Sequence, residues 1–116
     1  MMKSYQLYVF SQDHCPPCQR LKDHVRTLPT SWQDELKIVP LRTPSGSLTA
    51  LAEELDVEVT PTLVVVYEGV QCDVLEDGDE DCSYTEDSVE RVIGAKDIIA
   101  GLPALIDAYT YATPPD

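Results

Sequence analysis

Cys15 and Cys18 stand two residues apart in the run Cys15-Pro16-Pro17-Cys18. Thiols at that spacing can exchange with a disulfide, or supply half of a tetrahedral thiolate metal site. The residues that follow favour exchange. Cys18, Leu21, Val25 and Leu28 recur at helical spacing, with Arg20, Lys22, Asp23 and Arg26 on the other faces. A helix that begins at the cysteines presents its partial positive charge to the first sulfur, which favours the Cys15 thiolate as the attacking group. Cys18 falls on the apolar stripe, where a shielded thiol suits the resolving step. Pro16 and Pro17 hold φ near the helical value and have no N–H to leave unbonded, so they stiffen the first turn without weakening it. Zinc would need a second ligand pair. Cys72 and Cys82 are separated by nine residues, and no Cys/His pair has suitable spacing, so no metal is expected.

The pair must be held by a frame, and the apolar pattern supplies one. Tyr5 to Phe10 is a nearly continuous apolar run that reads as a strand buried on both faces. The helix after the cysteines is expected to run to Pro29. Leu36 to Leu41 reads as a second strand, with Pro40 pushing it toward a strand end or a sheet edge. A turn at Thr43 to Gly46 leads to Ser47, the expected cap of a helix carrying Leu48, Leu51, Ala52 and Leu55. Leu63 to Tyr67 is β-branched and short, as a buried strand is, and Val89 to Ile93 can add another. Asp97 to Tyr109 is amphipathic but contains Gly101 and Pro103, so its helix is expected to begin near Leu102. Residues 111–116 read as a frayed tail. This is a one-domain α/β plan.

At 116 residues the chain can bury a core without staples. It has no recognisable signal peptide and no run of apolar residues long enough to span a membrane, and its formal charge of -13 disfavours nucleic acid and anionic lipid. A cytoplasmic protein is expected. The charge is unevenly placed: residues 1–42 hold six of the eight Lys and Arg, whereas residues 68–90 hold ten of the 21 acids and no base. The acidic segment reads as a solvated surface or as a means of selecting a basic partner.

Three stretches carry a resemblance to known families. Tyr8-Val9-Phe10-Ser11-Gln12-Asp13-His14-Cys15-Pro16-Pro17-Cys18-Gln19-Arg20-Leu21 resembles the active-site entry of glutaredoxins. Leu51 to Leu63, containing Thr60-Pro61-Thr62, is similar to the thioredoxin segment around its cis-proline, and Val92-Ile93-Gly94-Ala95 also looks like thioredoxin. The resemblance implies a thioredoxin fold over residues 1–110, with a central mixed four- to five-stranded sheet flanked by helices. It implies a cis Thr60–Pro61 bond beside the cysteines, with His14, Thr60 and Pro61 meeting the substrate. The activity implied is reduction of protein disulfides by a monomer without a cofactor. Thioredoxin reductase or glutathione would be the electron donor, and ribonucleotide reductase is among the conceivable substrates. Two alternatives remain: a glutathione-dependent, glutaredoxin-like reductase, and a non-catalytic binding subunit. The chain also departs from both patterns. The thioredoxin Trp-Cys-Gly-Pro-Cys loop is His14-Cys15-Pro16-Pro17-Cys18 here, its buried acid is Val9, and the glutathione-contacting Gly-Gly-x-Asp-Asp segment of glutaredoxins is missing. His14, when protonated, would favour the Cys15 thiolate; the alternative is a plain solvent-facing side chain. His24 reads as a surface or partly buried side chain.

Residues 68–90 form a longer hairpin than a thioredoxin needs. With Glu76-Asp77-Gly78 as a three-residue loop and Gly78 left-handed, Leu75 faces Asp79 and Cys72 faces Cys82. The two thiols could then be bridged or free. Calcium does not fit the acids here, because an EF-hand loop starting at Asp73 would put Leu75 and Tyr84 at ligand positions.

Overall fold

Strand β1 (Tyr5–Ser11) pairs on both sides, in parallel with β2 (Leu36–Pro40) and antiparallel to β3 (Thr62–Val74). β3 pairs antiparallel with β4 (Glu80–Ile93), which completes a mixed four-stranded sheet in the order β2-β1-β3-β4. The computed structural model describes residues 5–110, with backbone only for 69–73 and 82–87; the expected tail lies outside the described residues. Helices α1 (Pro16–Arg26), α2 (Thr30–Gln33), α3 (Ala50–Glu54) and α4 (Ala95–Tyr109) complete the fold.

Because side chains alternate along a strand, each central strand feeds two cores. Leu7, Val9, Leu63 and Val65 pack with Leu21 and Val25 of α1, Trp32 of α2, and Ile98, Leu102 and Ile106 of α4. Phe10, Val64 and Val66 pack on the opposite face with Leu41, Ala52, Leu55 and Val57. Leu63 to Val66 are all fully buried, which is why that run is apolar without alternation. α1 and α3 therefore cover opposite faces, although each follows one of two neighbouring parallel strands.

Three local expectations are corrected. The first helix ends at Arg26, where Thr27 Oγ1 donates to His24 O at 2.6 Å, and the short α2 follows, burying Trp32. The cap of α3 is Thr49, not Ser47: Thr49 Oγ1 accepts from Ala52 N at 3.4 Å. A bridge between Arg42 and Leu48 keeps the chain extended past Ser47, and Thr43 N donates to Ser47 O at 2.8 Å. α4 starts at Ala95, with Pro103 inside it. An interior proline costs about 3 kcal/mol. Burial of Ile98, Leu102, Leu105 and Ile106, at about 1.5–3 kcal/mol for each large side chain, outweighs it.

The hairpin loop matches the sequence reading. Gly78 has φ 90°, Leu75 N donates to Asp79 O at 2.7 Å, and Cys72 pairs with Cys82 in register. β4 is longer than expected, starting at Glu80 rather than Val89. Among the described residues, pairing of β3 with β1 extends to Tyr67, and beyond it β3 and β4 pair with each other as a ribbon. A register shift between Val65 and Val66 accommodates Val89 as an extra residue.

Candidate active site

The end of β1 is anchored to the chain leaving β2 by Leu41 N donating to Ser11 O at 2.9 Å. From there the backbone turns at His14, whose φ is 57°, and enters α1. Cys15 is the N-cap of that helix. Its Sγ accepts from Cys18 N at 3.3 Å, the place usually taken by a Ser or Asp oxygen. A negative charge on this sulfur therefore faces both an N–H donor and the positive end of the helix.

Cys15 and Cys18 are joined by a disulfide, with their Cα atoms 5.2 Å apart. They differ sharply in access: Cys15 is half-buried, whereas Cys18 is 2% exposed and continues the buried stripe of Leu21 and Val25. An incoming sulfur can reach only Cys15. Val9 is also buried on this face, so β1 supplies an apolar side chain six residues before Cys15.

The Thr60–Pro61 peptide bond is cis, and it lies against the first cysteine. Thr60 O is 3.9 Å from Cys15 Sγ, and Thr60 Oγ1 donates toward the same sulfur at 3.6 Å. Pro61 O accepts from Gly94 N at 2.9 Å, which fixes the entry to α4 beside the site. Pro17, Thr60, Pro61 and Ile99 line a groove of about 710 Å³, with Arg20 and Lys96 at its rim. A smaller pocket of about 310 Å³ on the other side of Cys15 is lined by Gln12, Asp13, His14 and Lys22.

The structure thus brings Cys15, Cys18, Thr60 and Pro61 together, with His14 exposed at the edge and making no hydrogen bond to Cys15 among the described residues. Cys72 and Cys82 oppose each other in the ribbon, remote in register from this site; their side chains, and so their bridging, lie outside what is described. Among the described residues no three His, Cys, Asp or Glu side chains converge as a metal set would, and no helix is long and apolar enough to cross a membrane. Sequence reasoning passed over Pro17 and Ile99 as groove walls and Arg91 as a brace. Arg91 donates to Leu55 O and to Asp56 O, the latter at 2.8 Å, and so ties β4 to the loop that leads to Thr60. Ile99 could have been found from its place one turn after Gly94-Ala95; nothing in the sequence marks Arg91.

The thioredoxin family model matches residues 2–89. No curated protein matches the chain. Among solved structures, thioredoxin of Trichomonas vaginalis superposes with a TM-score of 0.58 at 20% identity, over 91% of this chain and 79% of that one. Thioredoxin of Fasciola hepatica gives 0.59 at 19% identity, over 93% and 83%. A chain from the complex of ferredoxin:thioredoxin reductase and thioredoxin f2 gives 0.56 at 22% identity, over 91% and 77%. With a family match over most of its length and a Cys-x-x-Cys disulfide at the start of α1, the chain belongs to the thioredoxin family.

Proposed function

We propose that the chain is a thiol–disulfide oxidoreductase that reduces protein disulfides. The observation that carries this reading is the pairing of a reachable Cys15, capping α1 and facing Thr60, with a buried Cys18. In the reduced protein the Cys15 thiolate attacks one sulfur of a substrate disulfide. The S–S bond breaks, the first substrate thiolate leaves, and a mixed disulfide forms on Cys15. The Cys18 thiolate then attacks Cys15 Sγ, the mixed disulfide breaks, and the second substrate thiolate leaves. Two electrons pass to the substrate, whose two thiolates take up protons, and the Cys15–Cys18 disulfide remains. The groove beside Pro61 suits an extended segment around the substrate cysteine.

The oxidised pair must be reduced again. A structural relative occurs in a complex of ferredoxin:thioredoxin reductase and thioredoxin f2, which favours a thioredoxin reductase as donor here, with glutathione second. We place the reaction in the cytoplasm, where such donors operate. The test is turnover of insulin disulfides with dithiothreitol as electron source. Cys15→Ser should abolish turnover, whereas Cys18→Ser should accumulate a mixed disulfide with the substrate. Full activity of the Cys15→Ser protein would refute the proposal and leave a non-catalytic binding role.

A further inference from the structure

β1 and β2 are adjacent parallel strands, yet β1 leads to α1 on one face of the sheet and β2 leads to α3 on the other. Chain segments that leave neighbouring parallel strands in opposite directions open a crevice at the strands' carboxyl ends, a common place for a ligand. Here that crevice has a volume of about 600 Å³ and is lined by Ser11, Gln12, Asp13, Lys22, Pro40 and Arg42, among others. Gln12, Asp13 and Lys22 also line the small pocket at Cys15, so the two spaces are neighbours that share these side chains. This side of the molecule is separate from the groove beside Pro61.

A buried hydroxyl and two cations give the crevice its chemistry. Ser11 is 6% exposed, and its Oγ has no hydrogen-bond partner among the described residues, an arrangement that an incoming acceptor would relieve. Lys22 and Arg42 carry two positive charges into it. Neither makes an ion pair among the described residues, and Arg42 Nη1 donates only to Gly46 O, at 2.9 Å. Asp13 offsets part of this charge. The sheet order also places the crevice at the β2 side, while the acidic ribbon belongs to β3 and β4. Two cations, a buried hydroxyl and an amide make a site for a carboxylate.

We infer that this crevice is a specificity subsite that takes an acidic side chain of the peptide segment flanking the disulfide under attack. The inference rests on the proposed role of Cys15. Substrates with Glu or Asp near the attacked cysteine are bound on the His14 side of the site, and neutral analogues lose that contact. Asp13 limits the preference.

The test uses two cyclic disulfide peptides that differ only in carrying Glu or Gln two residues from each cysteine. The second-order rate constant of the fully reduced protein is measured with each at low salt. The Glu peptide should react about threefold to tenfold faster, as expected for one or two partly exposed ion pairs. That ratio should fall toward one in Arg42→Gln, persist in Arg42→Lys, and rise in Asp13→Asn. Equal rates for the two peptides would overturn the subsite while leaving disulfide reduction standing, and so would a preference that survives in a Lys22→Met, Arg42→Gln double variant. Failure to reduce either peptide would overturn both the subsite and the activity it depends on.

Discussion

The inner half of β3 and its outer half belong to one strand but to different environments. Leu63 to Val66 are sealed between two packed layers and flanked by β1 and β4, whereas beyond Tyr67 the strand has, among the described residues, only β4 as a strand neighbour. Near the tip, Val74 is 73% exposed and Leu75 is 47% exposed. The inner half holds the frame on which Thr60, Pro61 and Cys15 meet, and a site that must keep two sulfurs and a backbone carbonyl in register belongs on such a frame. The ribbon carries the charge and little of the core.

The contrast predicts very different responses to substitution. Ile98→Ala, on the helix that seals the inner half, should destabilise the protein by about 2–5 kcal/mol through lost burial and the cavity left behind. Val74→Ser in the ribbon should stay within about 0.5 kcal/mol. Urea denaturation of the two variants reads the difference, and similar losses would show that the ribbon is part of the cooperative core. A smaller effect is expected at the junction. Arg91→Met removes both donors to the loop at Leu55 and Asp56, and should cost about 1 kcal/mol while slowing disulfide reduction, because that loop leads to Thr60. An activity loss without a stability loss would place Arg91 in substrate contact instead.

The smallest effect concerns Tyr109, whose hydroxyl donates to Glu90 Oε2 at 2.8 Å. That hydrogen bond to Glu90, with some burial and the carboxylate's charge, raises the phenol above its ordinary value of 10.0. A group whose pKa is higher folded than unfolded contributes stability that is complete below the unfolded value and disappears as pH rises through the folded one. The melting temperature of the protein should therefore exceed that of Tyr109→Phe slightly at pH 7, and the gap should close above about pH 10. A gap that persists unchanged above that pH would show that the hydrogen bond to Glu90 is not its source.

What could be read from sequence was local. The spacing of Cys15 and Cys18, the stripe of Leu21 and Val25, and the turn at Asp77-Gly78 each lie within a few residues, and each keeps its form in the fold. The failures came where distant contacts decide. Pro103 looked like a helix start until burial of Ala95 and Ile98 extended α4 backwards. Ser47 looked like a cap until the Arg42–Leu48 bridge drew the chain past it. Trp32 alone anchors α2 in the core, and one buried side chain leaves no periodicity to detect. In the candidate site, Thr60 and Pro61 were visible only through family likeness. The crevice of Ser11, Lys22 and Arg42 joins three segments that no sequence pattern links.

In the proposed exchange the two sulfurs differ in role because α1 exposes Cys15 and buries Cys18. Site-resolved alkylation tests it directly: the fully reduced protein is treated with limiting iodoacetamide at neutral pH, and each cysteine peptide is quantified by mass spectrometry over time. Cys15 should be labelled at least about a hundredfold faster than Cys18, as expected for an accessible, helix-stabilised thiolate beside a shielded thiol. Equal rates, or faster labelling of Cys18, would overturn this assignment of the attacking and resolving thiols.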